Sequence, residues 1–162
     1  AKKMCNNVNN NISANVHFCK TGYVYLDAIL NVVYEKAIEN DIDFSVDCKD
    51  NLSFVAGDDL AVLIGNLADN AVEALAKEQN KKLKISIFQN GSYGVLNVQN
   101  YCSSSVLRTN PTLYTSKEDK KNHGRGISIV KSIAKKYGGD VIISEKNNEF
   151  IVSVVLDNRI FT

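Results

Sequence analysis

Four strand-like segments in two back-to-back pairs constrain this chain most. "LKISIF" (83–88) and "GVLNVQN" (94–100) alternate apolar and polar residues and meet around Asn90-Gly91-Ser92. Alternation is the period-two signature of half-buried strands, and an Asn-Gly step between two of them favours a tight hairpin. "DVIIS" and "FIVSVVL" repeat the arrangement around Asn147-Asn148. Hairpin partners run antiparallel, so a doubly wound parallel sheet with a crossover helix after each strand does not fit.

Helix-period segments fill the intervals. From Tyr25, the residues Leu26, Ile29, Leu30, Val33 and Ala37 recur at helical spacing until Asn40-Asp41. Gly57-Asp58 opens a second helix, predicted to reach Gln79 with Asp58 or Asp59 as N-cap. "GISIVKSIAKKYGG" gives a third, with Ile127, Val130, Ile133, Ala134 and Tyr137 on its apolar side and Gly138 or Gly139 closing it. "IDFSV" (42–46) and "LSFVA" (52–56) read as short strands. Residues 101–123 hold the only proline and the charged run "KEDKKNH", show no period and read as one long loop. Loops beyond ~12–15 residues usually serve a function, and this one is expected to order around a ligand. The predicted order is α-β-β-α-β-β-loop-α-β-β. It implies an α+β two-layer sandwich, a mixed and mostly antiparallel sheet with helices on one face.

A chain of 162 residues suits one domain. Residues 1–20 are expected to be a lead-in, the end of an upstream segment, and 21–162 the domain itself. The net charge of +1 gives no reason to expect nucleic acid as a partner. No apolar run approaches the ~20 residues of a membrane span. Cys5, Cys19, Cys48 and Cys102 are irregularly spaced, and His17 and His123 lie far apart, which argues against a zinc site or a disulfide framework.

Two stretches do not follow from folding alone. In "NLADNAVEAL" (66–75), Asn66, Asn70, Glu73 and Lys77 form a polar stripe beside the apolar Leu60, Leu63, Ile64, Leu67, Ala71 and Leu75. Asparagine is a mediocre helix former, and its amide is costly on a half-buried face unless something binds it. The stripe suits solvated surface, and its oxygens equally suit Mg²⁺ held mainly by substrate phosphates. In "NHGRGISIV" (122–130), Gly124 and Gly126 open a helix straight after the long loop, an arrangement that lets backbone N–H groups approach a phosphate. Neither a Walker loop nor a Rossmann fingerprint is present.

Together and in this order, "LIGNLADNAVEA" and "HGRGISIVKSIAKKYGGD", with "KTGYVYLDAIL" ahead of them, resemble the ATP-binding catalytic domain of two-component sensor histidine kinases. The resemblance covers about residues 20–158 and is nearest to the peptide quorum-sensing receptor kinases, within the broader fold group shared with DNA gyrase. It implies a Bergerat-type ATP-binding fold, with ATP and Mg²⁺ as ligands. It also implies that Asn70 holds the Mg²⁺ bridging the ATP phosphates and that Asn66 stands at the mouth of the same site. ATP-hydrolysing relatives have a glutamate at that place; an amide cannot act as a general base. Glu73 then orients Asn66 or Lys77, or is a solvated charge, and Asp69 is a common residue of the motif. The family's Asp-x-Gly-x-Gly is replaced by "VQNYCSS", so Asn100 is expected to accept from the adenine amino group. Thr115, Ser116 and Lys117 match a lid element, with Lys117 placed to neutralise the γ-phosphate. Gly124 and Gly126 match the second glycine motif, and Arg125 between them is expected to reach a phosphate or make the lid more polar. His17 lacks the partners of an acceptor histidine and is expected to be structural or incidental.

The implied partners are ATP, a phosphoacceptor-histidine domain upstream in the full-length protein, and a response regulator. That protein is expected to be a dimer, with this domain cytoplasmic and any membrane contact made only through upstream segments. Two other readings are a non-catalytic nucleotide-binding module and an anti-sigma-factor-type serine kinase.

Overall fold

The computed structural model describes residues 19–111 and 126–161. Three long helices, α1 (Val24–Glu39), α2 (Gly57–Leu75) and α4 (Gly126–Lys136), cover one face of a sheet made from β1 (Asp43–Cys48), β2 (Lys82–Asn90), β3 (Tyr93–Tyr101), β4 (Asp140–Lys146) and β5 (Glu149–Asp157). A short α3 (Val106–Thr109) follows β3, and a 3₁₀ turn, Asn158–Phe161, follows β5. The strand order is β1-β2-β3-β5-β4, with β1 parallel to β2 and every other pair antiparallel. The predicted α+β sandwich and both hairpins are present. Asn147 and Asn148 both take positive φ (53° and 61°), the mirror-image turn whose twist matches that of its strands. The parallel β1–β2 pair requires a crossover, and α2 supplies it.

The core lies between the helices and the inner sheet face. Leu60, Leu63, Ile64, Leu67, Ala71 and Leu75 of α2 pack with Leu26, Leu30, Val33 and Ala37 of α1. Ile85, Leu96, Val98, Val152 and Val154 meet them from the sheet. Among the described residues no helix is long and apolar enough to cross a membrane.

Four local expectations are corrected. "LSFVA" is a turn, not a strand. Asp50 Oδ1 accepts from Leu52 N (2.8 Å) and Asn51 Oδ1 from Ser53 N (3.0 Å), and these local bonds outcompete strand pairing. Leu52 and Val55 are buried all the same, and Leu52 and Phe54 fill the space over Gly94, where a Cβ would stand 2.5 Å from Leu52 Cδ2. The N-cap of α2 is Ala56 with no side-chain cap, rather than Asp58 or Asp59. Asp59 is engaged elsewhere, as described below. The same helix ends at Leu75, short of Gln79. The presumed loop from 101 keeps Tyr101 in β3 and holds α3, four residues too short for a period to show. The lead-in with His17 and the stretch with Lys117, His123, Gly124 and Arg125 lie outside the described residues.

Candidate functional site

The apolar stripe of α2 faces the core, which turns its flank, with Asn66 and Asn70 one helical turn apart, towards α4. Asn66 Nδ2 donates to the Val62 carbonyl at 2.7 Å. This back-bond satisfies one N–H of the amide within the helix and leaves Oδ1 beside the start of α4. α4 begins against these two side chains. A Cβ added at Gly126 would stand 3.2 Å from Asn66 Oδ1 and 3.7 Å from Asn70 Nδ2. Glycine at 126 lets the backbone at the helix start approach both amides, where a side chain would crowd them. The two stretches singled out in sequence, some sixty residues apart, thus form one site. Its parts are two amides and the N-terminus of an 11-residue helix, whose first-turn N–H direction and positive dipole end favour an anion.

A polar clamp around the buried Tyr137 fixes the crossing of α2 and α4. Tyr137, 2% exposed just beyond α4, donates its hydroxyl proton to Asp59 Oδ2 at 2.6 Å and accepts from the Ala56 backbone N–H at 3.0 Å. Lys136 Nζ reaches the same Asp59 oxygen at 2.7 Å. Burial pushes the Asp59 carboxyl up, but the Lys136 and Tyr137 hydrogen bonds outweigh it and hold the group below the usual carboxylate range. Burial, and then the Asp59 carboxylate, push the Tyr137 hydroxyl above its ordinary value. The hydrogen bond to Asp59 raises Lys136. The clamp joins the start of α2 to the end of α4, while Asn66, Asn70 and Gly126 meet at the opposite end of the same contact. Sequence reading missed it, because Asp59 was assigned to capping and Tyr137 to the apolar stripe.

Asn100 stands apart from this group. It is 5% exposed on the core face of β3, in line with Leu96 and Val98, and its Nδ2 donates to the Tyr101 carbonyl at 3.0 Å. Among the described residues, no hydrogen bond joins it to Asn66, Asn70 or Gly126, and its Oδ1 remains the atom to accept one. Asp69 turns away to pair with Lys36 of α1, so it belongs to the α1–α2 contact. Glu73 is half-buried and Lys77 exposed.

Among the described residues no cluster of three or more His, Cys, Asp or Glu could hold a metal ion. An exposed asparagine beside a helix N-terminus still fits one cation, a Mg²⁺ that takes a single protein oxygen and fills its octahedron with phosphate and water. Turning the Asn70 amide about its last torsion presents Oδ1 rather than Nδ2.

A family model described as GHKL domain matches residues 56–157, more than half of the chain and all of the elements above from α2 to β5. Among curated proteins none matches in sequence. The fold resembles the catalytic domain of histidine kinase ThkA, with a TM-score of 0.67 at 20% identity over 83% of this chain and 92% of that one. The mycobacterial sensor histidine kinase MprB is similar too, at 0.62 and 16% identity, over 82% and 93%. The histidine kinase AdeS of Acinetobacter baumannii gives 0.61 and 15% identity over 82% of this chain, which spans 62% of the AdeS chain. At such identities the likeness establishes a shared fold, and the family match establishes membership: the chain belongs to the GHKL domain family.

Proposed function

We propose that residues 21–162 are the ATP-binding catalytic domain of a sensor histidine kinase, close to the peptide quorum-sensing receptors. The domain binds Mg-ATP and passes the γ-phosphate to a histidine on an upstream domain. One observation carries the reading: Asn66 and Asn70 meet the glycine start of α4 at Gly126. That brings two side-chain amides against the N-terminus of a helix, the pairing a phosphate and its cation call for.

Asn70 offers the oxygen for Mg²⁺, which when bound neutralises charge on the β- and γ-phosphates. Asn66 orients groups at the γ-phosphate and takes no proton, so water is not activated and phosphoryl transfer to a protein acceptor is favoured. The α4 N-terminus, with Gly124, Arg125 and Gly126, receives the phosphate chain, and Lys117 stabilises the charge that shifts during transfer. Asn100 Oδ1 accepts from the adenine amino group. The partners are the acceptor-histidine domain and a response regulator, in a full-length dimer whose catalytic domain works in the cytoplasm.

Titration with ATP, with and without Mg²⁺, tests the reading on wild type and Asn70→Ala. The wild type should bind ATP more tightly with Mg²⁺, and the variant should lose that gain while keeping its fold. With the upstream helical segment supplied, an acid-labile phosphohistidine should form. Unchanged Mg²⁺ dependence in Asn70→Ala removes Asn70 from the site. Sustained hydrolysis by the domain alone at ~1 per second or faster, an ordinary enzymatic turnover, replaces the kinase with an ATPase.

A further inference from the structure

The chain leaving β3 is "CSSSV", which stands where the family's glycine motif is replaced, and two carboxylates hold it. Glu78, three residues past α2, accepts from both the backbone N–H and the hydroxyl of Ser103, at 3.0 and 3.1 Å, through one oxygen. Glu145 of β4 accepts from Val106 N (2.6 Å) and Leu107 N (2.8 Å) on Oε1 and from the Ser105 hydroxyl (2.6 Å) on Oε2. The Ser105 hydroxyl in turn accepts from Arg108 N at 3.1 Å, and Cys102 N donates to the Asn148 carbonyl at 2.8 Å. Five backbone N–H groups between 102 and 108 are thereby fixed by groups outside the local chain or by the Ser105 cap.

The register explains why Glu145 is there. Asn100 pairs with Phe150, and Phe150 with Glu145, so the three stand in one cross-strand row. Alternation along β4 puts Glu145 on the same face as Val141 and Ile143, which pack against the core. Glu145 thus takes a position that would otherwise continue an apolar column, on the row that holds Asn100. The Ser105 hydroxyl first, then the two backbone N–H groups, outweigh the effect of burial and hold its carboxyl below the usual range, so it is an anion throughout the neutral range.

We propose that Glu145 is a positioning residue for the nucleotide, with Glu78 as the second anchor. It acts through the 102–108 segment, holding beside Asn100 a wall that the adenine ring meets already ordered. This deepens, and rests on, the ATP reading above. A preformed wall leaves little ordering to be done on binding, which is how preorganisation raises affinity.

The test measures ATP and GTP by competition against a fluorescent ATP analogue in Mg²⁺, for wild type, Glu145→Ala, Glu145→Gln and Ser105→Ala. It is run well below each melting temperature, so that lowered stability alone cannot move the affinity. Glu145→Ala should weaken ATP about tenfold, equivalent to one net hydrogen bond of preorganisation, and lower the preference for ATP over GTP. Glu145→Gln should stay within about twofold, because its amide oxygen still accepts both backbone N–H groups and the Ser105 hydroxyl can reverse. Ser105→Ala, which leaves Glu145 and its two backbone bonds in place, should weaken ATP about threefold, and it decides the matter should Glu145→Ala not fold. Amide exchange across 103–108 should quicken in step. Wild-type ATP affinity in Glu145→Ala despite faster exchange, or in Ser105→Ala, overturns the inference alone. Equal losses for ATP and GTP assign Glu145 a merely structural role and overturn it as well. A wild-type domain that binds no ATP overturns the nucleotide reading itself, and the inference with it.

Discussion

Replacing Tyr137 by phenylalanine removes one oxygen and leaves the ring, which keeps its edge-on contact with Phe54 at a centroid distance of 6.5 Å. The change therefore isolates the clamp between α2 and α4. Two hydrogen bonds go. The one to the ionised Asp59 is short, at 2.6 Å, and a bond to a charged group contributes about 1.5–3 kcal/mol. The one from Ala56 N, at 3.0 Å, is an ordinary backbone bond of about 0.5–1.5 kcal/mol, at a helix start that water can reach. Asp59 keeps Lys136 as a partner, so its charge is not stranded and the total falls toward the low end, about 2–3 kcal/mol.

Urea unfolding followed by circular dichroism reads this directly. With m near 2 kcal/mol/M, the midpoint should drop by about 1–1.5 M with m unchanged. The pH dependence supplies a second check. Asp59 lies below the ordinary carboxylate range when folded, so its share of the clamp is present above the unfolded pKa of about 3.9 and is lost as pH falls through the lower folded value. Tyr137 and Lys136 are raised, so their share is fully present below their unfolded values of about 10 and is lost as pH rises through the folded ones. The gap between wild type and variant should therefore be flat from about pH 5 to 9 and shrink at both ends. A loss below about 0.5 kcal/mol at pH 7 would refute the clamp, since that is the scale of a neutral surface change.

Gly126→Ala should fold normally yet bind Mg-ATP more weakly, because its new methyl stands 3.2 Å from Asn66 Oδ1, where the phosphate is proposed to sit. Isothermal titration beside a thermal melt separates the two effects, and wild-type affinity there would move the site away from the α4 start. Burial first, then the nearby Cys19, pushes the Cys48 thiol up to about 12. At pH 8 Cys48 should thus react with a disulfide reagent far more slowly than an unperturbed thiol of pKa about 8.5, as mass spectrometry of the labelled peptides would report.

The parts legible in the sequence are those whose signal is local and repeated. The two hairpins announce themselves through alternating runs of five to seven residues and an Asn-Gly or Asn-Asn junction, so the sheet's antiparallel character follows without tertiary information. The apolar stripe of α2 is equally plain, and every residue assigned to it is buried. "LSFVA" was misread because apolar side chains reach the core from a turn as well as from a strand. What decided between them was a pair of side-chain oxygens, on Asp50 and Asn51, just ahead of the run. Asp59 misled in the opposite way: an acidic residue in a first helical turn has a sufficient local explanation in capping. Its partners are some 77 residues away.

The site divides along the same line. Asn66, Asn70 and Gly126 were found because each breaks a local rule, an amide inside a helix or a glycine at its start, and the structure shows them sharing one place. Glu145 breaks a rule as well, though only at the end of a pattern. In "DVIISEK" the inward residues run Val141, Ile143, Glu145, and in "GVLNVQN" they run Leu96, Val98, Asn100. Each strand keeps its period, but its last inward residue is polar. Register places those two polar endings in one row, with only Phe150 between them. A strand that ends its buried face on a polar side chain has given up apolar contact there, at a cost that only a hydrogen-bond partner offsets. Glu145 has three such partners, all in the segment leaving β3, whereas Asn100 Oδ1 has none among the described residues. Of the two polar endings, Glu145 is the one bonded to the segment that leaves β3, and Asn100 keeps its Oδ1 open on the same row, which is the arrangement the proposed adenine contact requires.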